Sequence, residues 1–394
     1  MRLDSNLQRV VITIGCALFL GGAAQSPRTP PEPKTGVGWL EKLQRDRLLL
    51  ERQWAAEARD TKTVDAIDVV LKDPLKWQQA RADLLAKVTG GAKSLAQLEL
   101  PTKYEDPMAY AVLRNAASVI EAGNARKVFD VRPLFGTSTG GTFHALTRLV
   151  CPSDYVIVFH RQLFSLAHLF TSLFLAADGR SMFMRPDLIA SVQNGLLAYL
   201  LEGNVDNVQV PRLTGKRQSQ DGFMMTVITG FVVSHEYGHI IGKHFKPCDA
   251  KDGPEIGGDL RFDQAKEYSA DATAFLQMLE WAKKDGYDPV DVFLAVDWQF
   301  AFNELLDRAG AVMTTGSEET VPESPWSDSS HPYTRFRREY LLTLATKLFP
   351  KDEERLNTAR QMTSNLRYEM WQAARFRVFD EWNKKKVINS TVRR

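Results

Sequence analysis

Apolar residues recur at helical spacing through much of the chain. Across residues 39–89, Leu43, Leu48, Leu49, Trp54, Ala55 and Ala58 form a stripe among Arg, Lys and Glu, as an amphipathic helix requires. Pro74 is placed to open a further helix carrying Trp77, Ala80, Leu84 and Leu85, because proline fits a first helical turn. Another helix is predicted over 107–122. The period then shortens. Residues 127–134 are one strand candidate, and Asp154–His160 is a better one, rich in β-branched and aromatic residues; it is read either as an edge that could pair with an extended peptide or as plain sheet. Residues 136–141, glycines with Thr and Ser between, read as a loop without the lysine of a phosphate-binding loop. The apolar stretch 163–177 is short and carries Ser165, His168, Thr171 and Ser172, which predicts a buried helix rather than a membrane span. A helix near 186–201 and a polar loop through 216–221 follow.

Residues 223–233 are almost wholly apolar and lead into Ser234-His235-Glu236-Tyr237-Gly238-His239. On a helix, His235 and His239 share one face, one turn apart. Two imidazoles so placed can close on a single zinc ion at about 2.0–2.1 Å. Glu236 stands beside the first ligand, where its carboxylate can reach a metal-activated water without binding the metal, as a general base must. H-E-x-x-H fixes only three residues and can arise by chance. The context argues otherwise, since a polar cluster after an apolar run is costly to bury without a partner, and a metal is such a partner. The expectation is one Zn2+ per chain.

A hydrolytic zinc takes three protein ligands and keeps a position open. One source for the third is a histidine beyond a glycine turn, as in H-E-x-x-H-x-x-G-x-x-H. Gly242 fits that glycine, but Phe245 occupies the histidine position and His244 comes one residue early. On a continued helix His244 would point about 180° from His235, leaving it on the surface or behind the ligands. The other source is a carboxylate. After a Gly-, Asp- and Pro-rich loop, 247–262, a helix is predicted from Asp263, with Glu267 and Asp271 on one face and Ala270, Ala272 and Ala274 keeping it slim. One carboxylate can ligate the metal, and the other can accept the spare N–H of a ligating histidine.

Together, His235-Glu236-Tyr237-Gly238-His239, Glu267-Tyr268-Ser269-Ala270-Asp271, and Ser330-His331-Pro332 with Arg337 resemble the motif order of the gluzincin metallopeptidases of the CAAX-prenyl-protease and HtpX type. The resemblance spans roughly 128–345 and is dense only over 222–275. It implies a zincin-like endopeptidase acting on a peptide or protein substrate. It also implies Glu267 as third metal ligand, Asp271 as its partner behind the ligands, and His331 and Arg337 bordering the cleft. His331, on a lead-in (316–330) read as a mobile flap, would assist the oxyanion, block the open metal position, or merely cap the helix predicted over 333–344. Three features depart from the family: there are no integral-membrane helices, the interval after residue 160 is long, and neither the N-terminal helical region nor the tail has a counterpart. The phage-exclusion peptidases share a similar motif order. A zinc hydrolase of another amide and a non-catalytic, chaperone-like zinc module are the rival classes.

Composition changes this picture little. With 44% hydrophobic and 25% charged residues and a net charge of +2, the chain gives no electrostatic case for nucleic acid. The expected class is α+β, predominantly α-helical: a helical N-terminal region (38–127), a zincin-like domain (128–345) with a small sheet and an active-site helix, and a helical tail (346–394). Arg2 and Arg9, the apolar run 10–20 and Gly22-Ala23-Ala24 form a signal-peptide pattern over 1–24, followed by a proline-rich linker, 25–37. This predicts an exported protein, periplasmic or secreted, with an uncleaved anchor as the alternative. Export would permit a disulfide between Cys151 and Cys248. No integral membrane domain is expected; attachment to a membrane surface and the oligomeric state are left open.

Overall fold

The computed structural model describes residues 33, 35–89, 98–120, 132–139, 145–150, 153–179, 181–245, 260–318 and 332–392. The leader 1–24, most of the linker, Cys151, Cys248, His331 and nearly all of the 316–330 segment lie outside them. In chain order the elements are α1 (Gly36–Glu57), α2 (Thr61–Lys72), α3 (Pro74–Thr89), α4 (Pro107–Ile120), β1 (Leu134–Ser138), β2 (Ala145–Val150), β3 (Asp154–His160), α5 (Arg161–Ala177), α6 (Pro186–Glu202), α7 (Lys216–Ile241), α8 (Leu260–Lys284), α9 (Pro289–Thr315), α10 (Thr334–Leu348) and α11 (Glu353–Val392). This is an α+β arrangement, predominantly helical, with one three-stranded mixed sheet ordered β1-β3-β2. The chain divides into two compact units. One holds Met1–Arg114, Pro133–Gly140 and Arg148–Arg161; the other holds Asn115–Arg132, Gly141–Thr147 and Gln162–Arg394.

In the first unit, side-chain caps start α1 and α2: Thr35 accepts from Gly38 N, and Asp60 accepts from Thr63 N. Leu48, Ile67, Val70 and Tyr104 form a small core under these helices. β1 and β3 pair in parallel from Leu134↔Val156 to Ser138↔His160. Three expectations are corrected by the sheet and by α7. First, β1 begins at Leu134 and takes in Gly136, Thr137 and Ser138, which read as loop. The glycine marks a close approach, since a Cβ at Gly136 would overlap the Leu40 side chain. Second, β3 is not an edge; it lies between β1 and β2. Third, residues 216–221 are the first turns of α7, where surface exposure around the helix leaves no apolar stripe to reveal it.

In the second unit, α9 lies deepest. Trp298, Phe300 and Phe302 are fully buried, and Trp298 Nε1 donates to Phe170 O of α5 at 3.2 Å. The tail helix α11 belongs to this unit. Arg338 of α10 donates to Asp297 Oδ1 and Oδ2 of α9 at 3.1 and 2.8 Å, and Arg360 of α11 reaches Asp297 Oδ1 at 2.6 Å. α7 and α8 run antiparallel and close together, with Gly230 opposite Met278 and Gly238 opposite Ala270. Among the described residues, no helix is long and apolar enough to cross a membrane.

One buried carboxylate makes the first unit sensitive to pH. Glu105, fully buried, accepts from Thr137 N at 2.9 Å and Gln44 Nε2 at 2.8 Å. Burial pushes it up to about 7, against the pull of Thr137, Arg161 and Gln44. The folded state therefore holds this proton more tightly than the unfolded chain. The contribution to stability is complete below 4.5, its ordinary value, and is lost as pH rises through about 7. Glu105→Gln, neutral throughout, removes that loss. The difference in Tm, variant minus wild type, should become more positive from pH 5 to pH 8; thermal melts across that range check it.

Candidate metal centre

The apolar half of α7 buries the helix face that carries the histidines. His235 and Glu236 are 9% and 5% exposed. Opposite them, α8 can approach only because Gly238 has no side chain; a Cβ there would lie 2.8 Å from Ala270 Cα. That approach brings Glu267 to the histidine pair. Glu267 Oε2 lies 3.4 Å from His235 Nε2, Glu267 Oε1 lies 3.3 Å from His239 Nε2, and the two Nε2 atoms are 3.1 Å apart. One ligand atom from each of His235, His239 and Glu267 falls within 4.8 Å of the others, so this buried group could hold a metal ion.

The outer nitrogens of both rings are occupied, which fixes what the inner ones offer. His235 Nδ1 donates to Asp271 Oδ1 at 3.0 Å. His239 Nδ1 lies 2.9 Å from His244 Nδ1. Burial, then the charges of His239 and Lys266, push His244 down to about 4, so it is neutral at pH 7 and can accept. His239 Nδ1–H then donates, as His235 does, and both Nε2 atoms point toward each other and toward the Glu267 carboxylate. With both of them bare, the cluster is repulsive unless a proton or a metal cation sits within it. The same need shows in the protonation of His235. Burial opposes its charge, yet hydrogen bonds to Asp271 and Glu267 raise it to about 10. A metal ion would take the place of that proton, so the donor set fits one.

Asp271, fully buried, is held from behind by Arg337, whose Nε donates to Oδ2 at 2.8 Å and whose Nη2 donates to Oδ1 at 2.6 Å. Burial opposes ionisation of Asp271, but the charge of Arg337 outweighs it and holds the carboxyl below its usual range. The guanidinium also lies over the Phe300 ring, 4.8 Å from its centroid. Glu236 is not among the three convergent ligands. Its Oε2 accepts from Thr147 Oγ1 of β2 at 2.5 Å.

The structure brings together His235, Glu236, His239, Glu267, Asp271 and Arg337; His331 lies outside the described residues. Thr147 is a new contributor, and His244, read as lying on the surface or behind the ligands, lies behind His239. His244 does not point away on a continued helix. α7 ends at Ile241, Lys243 adopts φ +52°, and the ring folds back over Gly242, where any Cβ would collide with it. The helix-stopping glycine was the available signal. Thr147 carries no local signal. No family model, curated protein or solved structure matches the chain.

Two substitutions separate ligand from support. Glu267→Ala removes one of three donors and should lose most of the metal; metal analysis after dialysis reads this directly. Asp271→Ala leaves the donors but frees His235 to rotate, so metal affinity should fall about 10–100-fold without vanishing. Competition with a chelator of known affinity measures that difference.

Proposed function

We propose that this chain is a zinc-dependent endopeptidase with a zincin-like catalytic domain. The observation that carries the reading is the convergence of His235, His239 and Glu267 with a fourth polar side chain, Glu236, held beside the ligands but outside their set. A ligand set of two imidazoles and one carboxylate suits zinc in a hydrolytic site. Bound zinc would supply Lewis-acid polarisation of the scissile carbonyl and lower the pKa of water to about 7. Glu236 takes the proton of the attacking water and delivers it to the leaving amine. Asp271 and Arg337 keep His235 oriented through that exchange. An extended peptide would pair along an edge strand rather than along the central β3. Residues 145–147 of β2 fit that role, because Thr147 touches Glu236. His331 remains a proposed cleft residue, and the leader pattern over 1–24 supports export to the periplasm or beyond.

Glu236→Gln tests the assignment. It keeps the size of the side chain and removes the base, so the variant should bind zinc like the wild type while turnover of unfolded casein falls to background. Removing zinc from the wild type with a chelator should abolish turnover, and adding zinc back should restore it. Full activity in Glu236→Gln would refute the proposal.

A further inference from the structure

The Glu236 side chain is 5% exposed in residue terms, so its rotamer is set by the protein rather than by solvent. Among the described residues its carboxylate has one hydrogen-bond partner, Thr147 Oγ1, at 2.5 Å from Oε2. The same hydroxyl lies 3.3 Å from Glu236 O. One hydroxyl proton serves one acceptor well, and the short bond to a carboxylate is the stronger. Oε2 is thereby engaged and Oε1 is left to meet a water.

Threonine suits this role. Its β-branched side chain is stiff about χ1, and it stands on a strand rather than on a loop. Thr147 is half-buried, on the surface of β2 that faces Glu236. Its hydroxyl is held by the bond it makes.

We propose that Thr147 is a positioning residue for the general base, fixing the Glu236 carboxylate with one oxygen bound to the strand and the other free for the attacking water. The assignment rests on the hydrolase reading above. It assigns Thr147 no contact with substrate or metal; it acts through Glu236 alone. Thr147→Val keeps the shape and removes the hydroxyl. Thr147→Ser keeps the hydroxyl and removes the methyl.

The test uses zinc-loaded full-length wild type and both variants, with peptide kinetics and a crystal structure of Thr147→Val. Thr147→Val should lower kcat about 10–100-fold, the rate equivalent of one hydrogen bond to a charged group. KM and zinc content should stay near wild type, and Thr147→Ser should recover most of the rate. A wild-type rate in Thr147→Val would overturn the proposal, as would a Ser variant no faster than the Val variant. If the wild type cleaves no peptide, the hydrolase reading fails on its own and the crystal structure decides the positioning claim. A Glu236 carboxylate swung out of place in Thr147→Val supports it; one left in place overturns it.

Discussion

Two imidazole nitrogens 3.1 Å apart and facing a buried carboxylate need a proton or a metal cation between them. Much of the second unit can be read as meeting that constraint. His235 can offer its Nε2 to a metal because Asp271 takes its Nδ1–H, and His239 because His244 does. Asp271 can stay charged in a fully buried position because Arg337 grips both of its oxygens. Glu267 reaches the pair because α7 and α8 approach over Gly238 and Ala270. Each support has a physical cause in a named residue.

The charges of the centre point the same way. Glu236, Glu267 and Asp271 bring three negative charges into a largely buried space, and Arg337 brings one positive charge. A dication leaves the cluster near neutrality, whereas a single proton on His235 leaves it short of positive charge. Buried charge is tolerated when it is paired and hydrogen-bonded. The surrounding carboxylates thus suit a cation, as the ligand atoms do.

What could be read from the sequence was what depends on short spacing. The four-residue steps His235 to His239 and Glu267 to Asp271 place side chains on shared helix faces, and the amphipathic stripes of α1, α3 and α4 show in their periods. What could not be read depends on contacts between distant positions. β1 looked like loop because Gly136 is there for Leu40, 96 positions earlier in the chain, and because Glu105 satisfies Thr137 from outside the strand. Whether β3 was an edge could not be read, because strand order leaves no mark on a single strand. The polar start of α7 looked like loop because a surface-exposed helix turn has no apolar side. Thr147 was invisible, since its partner is 89 positions away. His244 was half legible: the glycine before it was noticed, but the positive φ at Lys243 that turns the ring back was not.

The tail, without a counterpart in the resemblance, turns out to be tied to the centre through two consecutive arginines. Adjacent residues on a helix point about 100° apart. On α10, Arg337 therefore faces the metal side and holds Asp271, while Arg338 faces the core and holds Asp297 and Glu304. Asp297 also receives Arg360 of α11, and Thr363 of that helix donates to Asp297 and accepts from Arg338 Nη2. A helix clamped on two faces resists rotation about its own axis. A small rotation of α10 would draw Arg337 off Asp271 and free the His235 ring. The buried ion pairs under α11 thus belong to the same mechanical chain as His235, and the C-terminal helix is part of what keeps that ring in place.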